Sequence, residues 1–221
     1  MDLSDPDRVT ALAGLASLDE PVRRRLYGYV SDAGRPVSRD EAAGAAGISR
    51  TLAAYHLDKL AEAGLLATTY QRPAGRGGPG AGRPAKLYRQ AERELAVSVP
   101  PRAYELLARL LAEAAESDTT GSVRRTLTGV AYDVGRQLGT EAGGDLLTAL
   151  RDCGYQPRAG SGGDIELRNC PFHRLALEHR ELVCGLNLGL VEGMITGSAQ
   201  PQARALLTPS PDRCCVVVRG G

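Results

Sequence analysis

Residues 48–66 read ISRTLAAYHLDKLAEAGLL, and this stretch decides the fold of the N-terminal part of the chain. Helical spacing places Ile48 on one face with Ala53, His56, Leu57 and Leu60, which predicts a helix with one buried face. Ser49 can cap the start of this helix, and Gly64 ends it. We interpret His56 as a packed, hydrogen-bonded histidine, because it falls on the inner face with Ala53, Leu57 and Leu60.

A second short helix is predicted immediately before this stretch. Ser38 and Glu41 are spaced as a capping box, in which each residue satisfies a free N–H group of the first helical turn. A small-residue helix follows over 42–46, and Gly47 allows the left-handed turn that ends it. Two short helices joined through a glycine turn are typical of a helix-turn-helix. Helices are also predicted over 8–18 and 20–33.

A basic wing is predicted after the second helix. Residues 65–70 and 85–89 have the composition of strands, and the loop over 72–84 is rich in Gly and Pro. Residues 69–91 contain five basic side chains and no acidic one, which suggests a contact with nucleic acid, and the charge alone is equally compatible with a solvated Arg-rich loop.

The helix and the wing carry a family resemblance. The run Tyr-His-Leu-Asp-Lys-Leu at 55–60, followed by Glu-Ala-Gly-Leu at 62–65, resembles the recognition helix of ArsR-like winged-helix repressors. The run Gly-Arg-Pro-Ala-Lys-Leu-Tyr at 82–88 is similar to the wing of one subgroup of these proteins. The resemblance covers about residues 8–93 and implies a transcriptional regulator that binds double-stranded DNA.

The outer face of the recognition helix and the wing supply the expected DNA contacts. A recognition helix reads base edges from its N-terminal half, so we expect Arg50, Thr51 and Tyr55 to contact bases. Two recognition helices on a near-palindromic operator require a homodimer. The complete set of expected DNA-binding residues is Ser49, Arg50, Thr51, Ala54, Tyr55, Lys59, Arg72, Arg76, Arg83 and Lys86.

The rest of the chain predicts a small α+β domain. Val99-Pro100-Pro101 marks the boundary, and the division is a DNA-binding domain over 1–98, a helical linker and dimerisation segment over 99–140, and a sensor domain over 141–221. Helices are expected over 102–117, 122–138, 141–152 and 173–197, the last with a break near His179, and strands over 154–158, 164–169, 203–208 and 214–219.

Five cysteines, all in the sensor domain, are the candidate sensing groups. Cys170 is expected where a strand meets a helix, where backbone N–H groups can stabilise a thiolate. Cys184 falls on the following helix. Cys214 and Cys215 are expected to open the last strand on opposite faces, so that only one of them joins a shared site.

The order of these cysteines carries a second resemblance. Asn169-Cys170-Pro171-Phe172, then Leu182-Val183-Cys184, then Cys214, resemble the C-terminal half of iron–sulfur-cluster-binding regulators of the Suf cluster-assembly operon. The resemblance implies that Cys170, Cys184 and Cys214 hold an iron–sulfur cluster, and that loss of the cluster changes operator affinity at genes of cluster assembly or redox stress. The fourth ligand stays open between Cys215, His173, Cys153 and a group from a second subunit.

Three other interpretations remain at this point. Cys170 and His173 have the spacing of a zinc-ligand pair. Reduced thiols alone could sense oxidants, or the domain could bind a small effector. An enzyme is not expected, because no oxyanion or third-member motif accompanies Cys170 and His173. No apolar run is long enough to span a membrane, so we expect a cytoplasmic protein.

Overall fold

A computed structural model describes residues 6–71, 84–98, 102–160, 163–200, 202–209 and 213–220. The chain divides into two compact units, Met1–Arg102 and Ala103–Gly221. The segment over 99–140, which the sequence sets apart as linker and dimerisation helices, therefore supplies its helices to the second unit. The α+β class is confirmed.

The first unit contains four helices and one small antiparallel sheet in its described part. The sheet has the order β1-β3-β2, and Tyr88 in its central strand pairs with Val37 on one side and Thr68 on the other. The first of these strands is only two residues long and has no pattern that predicts it. The elements are α1 (Pro6–Ser17), α2 (Pro21–Ala33), β1 (Val37–Ser38), α3 (Arg39–Ala46), α4 (Arg50–Glu62), β2 (Leu66–Gln71) and β3 (Ala85–Gln90).

The caps of the helix-turn-helix are those that the sequence predicts. The Ser38 hydroxyl accepts from the Glu41 N–H at 3.2 Å, and the Ser49 hydroxyl accepts from the Leu52 N–H at 3.2 Å. Gly47 has φ of 65°, a left-handed conformation that costs glycine little. These local interactions fix where α3 ends and where α4 begins.

The second unit places helices on a four-stranded antiparallel sheet. The sheet order is β4-β5-β7-β6, and its core includes Leu150, Leu167, Val191 and Val216. The elements are α5 (Tyr104–Glu116), α6 (Ser122–Glu141), α7 (Leu146–Asp152), β4 (Pro157–Ala159), β5 (Ile165–Leu167), α8 (His173–Glu178), α9 (Arg180–Gly197), β6 (Arg204–Leu207) and β7 (Val216–Arg219).

Helices α6 and α9 touch backbone to backbone through glycines. A Cβ atom added at Gly193 would lie 2.0 Å from the Tyr132 carbonyl oxygen, and one added at Gly135 would lie 2.0 Å from the Leu190 carbonyl oxygen. No side chain fits at such distances, so glycine is required on both helices. This contact fixes α9, the helix that carries Cys184.

The expected break near His179 is confirmed, because α8 ends at Glu178 and α9 begins at Arg180. The buried His179 ring lies with Nδ1 2.8 Å from Glu116 Oε2 at the end of α5. This contact joins the first helix of the second unit to the start of α9.

None of the described helices is both long and apolar enough to cross a membrane.

Candidate DNA-binding surface and cysteine site

Helix α4 presents the two faces that the sequence predicts. Ala53, His56, Leu57 and Leu60 are buried. The residues expected on the outer face are exposed, apart from the half-buried Ala54: Ser49, Arg50, Thr51, Tyr55 and Lys59. The division into inner and outer faces is therefore confirmed, and contact with DNA stays a prediction.

Two of the expected DNA contacts are engaged in exposed ion pairs. Arg50 Nε lies 2.6 Å from Asp40 Oδ1, and Lys59 Nζ lies 2.7 Å from Glu62 Oε2. Exposed pairs of this kind contribute at most about 1 kcal/mol. The two cations can therefore exchange their carboxylate partners for phosphate or a base edge at little cost.

Lys86 has a more integrated position. Its Nζ lies 2.6 Å from Asp58 Oδ1, and the buried Tyr88 hydroxyl donates to the same oxygen at 2.8 Å. Burial raises the pKa of Asp58, but the hydrogen bonds from Lys86 and Tyr88 outweigh it, and the net shift is downward. Lys86, which the sequence assigns to DNA, thus also joins the wing strand β3 to the recognition helix.

Leu52 also belongs to the exposed face of α4, although the sequence pattern did not lead us to assign it there. Its side chain is 41% exposed on the first turn of α4, beside Thr51. The missed signal is helical spacing, since Leu52 precedes Tyr55 by three residues and so shares its face. A side chain of this type can contact the methyl group of thymine in the major groove. The wing arginines Arg72, Arg76 and Arg83 lie outside the described residues.

Four of the five cysteines lie together in the second unit, and we call Cys170, Cys184, Cys214 and Cys215 the cysteine cluster. The Cys184 and Cys215 sulfurs are 2.6 Å apart. Cys170 donates a hydrogen bond to Cys214, which is the chain neighbour of Cys215. The four thiols therefore form two pairs, Cys170 with Cys214 and Cys184 with Cys215, which meet where Cys214 and Cys215 adjoin in the chain.

The expected position of Cys214 and Cys215 is wrong. Strand β7 begins at Val216, so the two cysteines precede the strand instead of opening it. Their backbone is held irregularly, with the Cys214 N–H on the Leu167 carbonyl at 2.9 Å. The alternation of faces within a strand does not apply to them, and both thiols join the cluster.

Cys214 is the thiol best able to ionise. Its pKa is lowered to about 6, chiefly because Cys170 donates a hydrogen bond to its sulfur. The pKa of Cys170 is raised, chiefly because it is the donor in that bond. Burial is the main reason that the pKa of Cys215 rises to about 12. Within the hydrogen-bonded pair of Cys170 and Cys214, Cys214 is therefore the thiol that ionises first.

A buried amide supports Cys214 and was missed in the sequence. Asn187 on α9 has no exposed surface, and its Nδ2 donates to Cys214 Sγ at 3.1 Å. Its Oδ1 accepts from the buried Tyr155 hydroxyl. The available signal was a single Asn in the apolar run from Leu182 to Leu190, where an amide needs a specific partner.

The other two candidate ligands stand apart from these contacts. His173 is exposed, and its backbone N–H donates to the Cys170 carbonyl at 3.1 Å. Cys153 is half-buried and packs against the hydrophobic core, and burial raises its pKa. The described contacts thus favour Cys215 over His173 and Cys153 as a fourth donor.

The donor set fits a thiophilic metal in its chemistry. Thiolates are the usual ligands of iron–sulfur clusters and common ligands of zinc. As the side chains stand, no group of three or more His, Cys, Asp and Glu residues in the described part of the chain is arranged to hold a metal ion. The thiols would have to turn apart from their mutual contacts to enclose one.

The family match found by comparison with known proteins lies within the N-terminal unit. No curated protein and no solved structure matches the chain. Residues 18–69 match the family model of a helix-turn-helix domain, a range that begins just before α2 and ends in β2. The chain therefore carries a helix-turn-helix domain, and this domain suggests a DNA-binding transcriptional regulator.

Proposed function

We propose that this protein is a homodimeric transcriptional regulator of the Suf-operon repressor type, whose operator affinity depends on an iron–sulfur cluster held by its cysteine cluster. The observation that carries the proposal is the convergence of four thiols in a chain that also has a helix-turn-helix domain. A free cysteine alone is more often a small core residue, whereas four that lie as two adjoining pairs form a donor set.

The recognition helix supplies the sequence-reading part of the function. Arg50 and Tyr55 are exposed on the outer face of α4, and Leu52 adds an apolar contact beside them. Ser49 and Lys59 flank this face and suit phosphate contacts, which fix register without reading sequence. One such helix makes too few contacts for useful specificity, so the function requires two copies.

Helix α5 supplies the proposed dimer contact. Its inner side buries Ala112 and Ala115, whereas its outer side exposes large apolar residues, with Tyr104 71% and Leu111 62% exposed. A contiguous apolar face of this size is typical of a protein interface. A second copy of the same helix is the proposed occupant, because a two-fold operator needs a two-fold protein. The exposed residues are Tyr104, Leu106, Leu107, Leu110 and Leu111.

The cysteine cluster supplies the sensing part. Cys170, Cys184 and Cys214 are the proposed ligands, and Cys215 is the proposed fourth because it contacts both Cys184 and Cys214. A bound iron–sulfur cluster would supply iron–thiolate bonds that oxidants and iron limitation can break. The thiols come from the β5–α8 connection, from α9 and from the segment before β7, so ligation ties these three elements together.

The contact between Glu116 and His179 links this site to the rest of the second unit. His179 immediately precedes α9, which carries Cys184, and Glu116 is the last residue of α5. A change in α9 on ligation can therefore reach α5, which follows the first unit directly in sequence. A ligand shifts DNA affinity only if it binds two conformations differently, and a coupling of about 1–3 kcal/mol would suffice.

Anaerobic purification tests the proposal, followed by absorbance spectra and iron, sulfide and zinc analysis. We expect broad absorbance near ~400 nm with matched iron and sulfide, as thiolate-bound clusters give. Operator affinity should then differ between the loaded and the cluster-free protein. A colourless protein with stoichiometric zinc, or with no metal after reconstitution, would overturn the cluster proposal and leave the helix-turn-helix function intact.

A thiol switch is the second candidate, favoured by the 2.6 Å separation of the Cys184 and Cys215 sulfurs. Two thiols would lose two electrons and two protons to an oxidant such as a small disulfide, and one protein disulfide would form. Treatment of the metal-free protein with oxidised glutathione, followed by peptide mapping, tests this candidate. Recovery of Cys184 and Cys215 in their reduced form would reject it.

A further inference from the structure

Asn187 and Tyr155 form a buried polar pair behind the cysteine cluster. Asn187 has no exposed surface, and Tyr155 is also buried. Burying an amide without a partner costs roughly 2–7 kcal/mol, so a polar pair in this position needs full hydrogen bonding. Both ends of the Asn187 amide are hydrogen-bonded: Oδ1 accepts from the Tyr155 hydroxyl, and Nδ2 donates to the Cys214 sulfur at 3.1 Å.

The orientation of the amide follows from its neighbours. The Cys214 sulfur also accepts from Cys170 and from the Val216 N–H, which lies 3.5 Å away. A sulfur that accepts hydrogen bonds from these neighbours is matched by a further donor, and the end of Asn187 that faces it is the NH₂ group. The oxygen end then faces Tyr155, whose hydroxyl supplies the matching donor.

The pair distinguishes two adjacent cysteines. Cys214 receives the amide of Asn187 and the backbone N–H of Val216, whereas the Cys215 thiol donates to Cys184. Asn187 also lies three residues after Cys184 on α9, so the two side chains share one face of that helix. Helix α9 thus carries both the Cys184 thiol and the Asn187 amide that hydrogen-bonds to the Cys214 thiol.

We propose that Asn187 is a positioning residue that fixes Cys214 as a metal ligand through its N–H···S hydrogen bond, with Tyr155 holding the amide in that orientation. This inference rests on the proposed function, because it concerns the same cysteine site. Partners of this kind orient ligands and tune the bound metal, and their loss typically reduces metal affinity by about 10- to 100-fold.

Cobalt(II) is the probe for the test, because its thiolate charge-transfer bands report directly on sulfur ligands. The full-length protein would be titrated anaerobically with cobalt and then alkylated with N-ethylmaleimide, and the protected cysteines would be mapped by tandem mass spectrometry. In the wild-type protein we expect Cys170, Cys184, Cys214 and the proposed fourth ligand Cys215 to be protected. In Asn187→Leu, which removes the donor at similar volume, cobalt affinity should fall about 10- to 100-fold and Cys214 should lose its protection.

Two further variants separate positioning from stability. Tyr155→Phe keeps Asn187 but frees its amide, so it should weaken cobalt binding in the same direction by a smaller factor. Met194→Ala creates a cavity in the core two helical turns after Asn187 on α9 and removes no hydrogen bond to Cys214, so it should lower stability while leaving cobalt affinity and Cys214 protection unchanged. Circular dichroism would show that each variant is folded.

The outcomes separate this inference from the proposed function. Cobalt affinity and Cys214 protection at the wild-type level in Asn187→Leu would overturn the role of Asn187. Cobalt binding that follows the expected pattern, in a wild-type protein that takes no iron–sulfur cluster, would overturn the proposed function and support Asn187. Failure of the wild-type protein to bind cobalt would overturn the ligand assignment of Cys214 itself.

Discussion

The ammonium of Lys86 in β3 lies 2.6 Å from the Asp58 carboxylate in α4, so the wing strand and the recognition helix share an ion pair. The buried Tyr88 hydroxyl donates to the same carboxylate oxygen. This shared contact fixes the position of β3 relative to α4 within the first unit.

Asp58→Asn should lower stability modestly, by up to about 1 kcal/mol, since both partners of the ion pair are partly exposed. The folded pKa of Asp58 is depressed, so its contribution is present above the ordinary carboxylate pKa and is lost as the pH falls through the lower folded value. Urea unfolding between pH 7 and pH 2 would show this as a smaller acid loss in the variant. Equal acid losses in both proteins would argue against the ion pair.

Arg50→Ala should reduce operator affinity by about 1–3 kcal/mol and relax specificity at one base pair, because its guanidinium lies at the start of the recognition helix. Fluorescence anisotropy with operator and with scrambled DNA measures both effects. Arg24→Ala, on the exposed surface of α2, is the matched control and should change neither. An equal loss in the two variants would indicate a general charge effect.

Leu111→Glu should convert the proposed dimer to a monomer, because the charge would be buried where a second α5 would pack. Analytical ultracentrifugation measures the change, and operator binding should fall with it. Arg109→Glu alters the charge of an exposed position on the same helix and serves as the control. A wild-type protein that sediments as a monomer at micromolar concentration would reject this interface.

Local chemistry made the first unit predictable from sequence. Ser38, Gly47 and Ser49 fix helix ends through contacts within a few residues, and the structure confirms all three. Cys214 and Cys215 were misplaced because the start of β7 depends on pairing with β5 and β6, which are distant in the chain. The role of Asn187 could not be predicted for the same reason, because it depends on hydrogen bonds with Tyr155 and Cys214, which are distant in the chain.

Gly193→Ala should destabilise the second unit by about 1–3 kcal/mol, because the added methyl group would meet the Tyr132 carbonyl oxygen at 2.0 Å and force α6 and α9 apart. Thermal unfolding measures the loss. Gly129→Ala on α6 is the control, since nothing lies within 4 Å of its added Cβ, and alanine is the better helix former there. The two substitutions should therefore shift the melting temperature in opposite directions.

His179→Ala should separate sensing from response, because it removes the contact between Glu116 and the start of α9 without touching a cysteine. Metal content and cysteine protection should stay at the wild-type level, whereas the difference in operator affinity between loaded and metal-free protein should shrink. Paired affinity measurements in the two states would reveal this. Glu113→Ala, at an exposed position one turn earlier on α5, is the control that keeps the contact. His179→Ala abolishes the contact with Glu116, so an unchanged affinity difference in this variant would show that the coupling between the cysteine site and DNA follows another route.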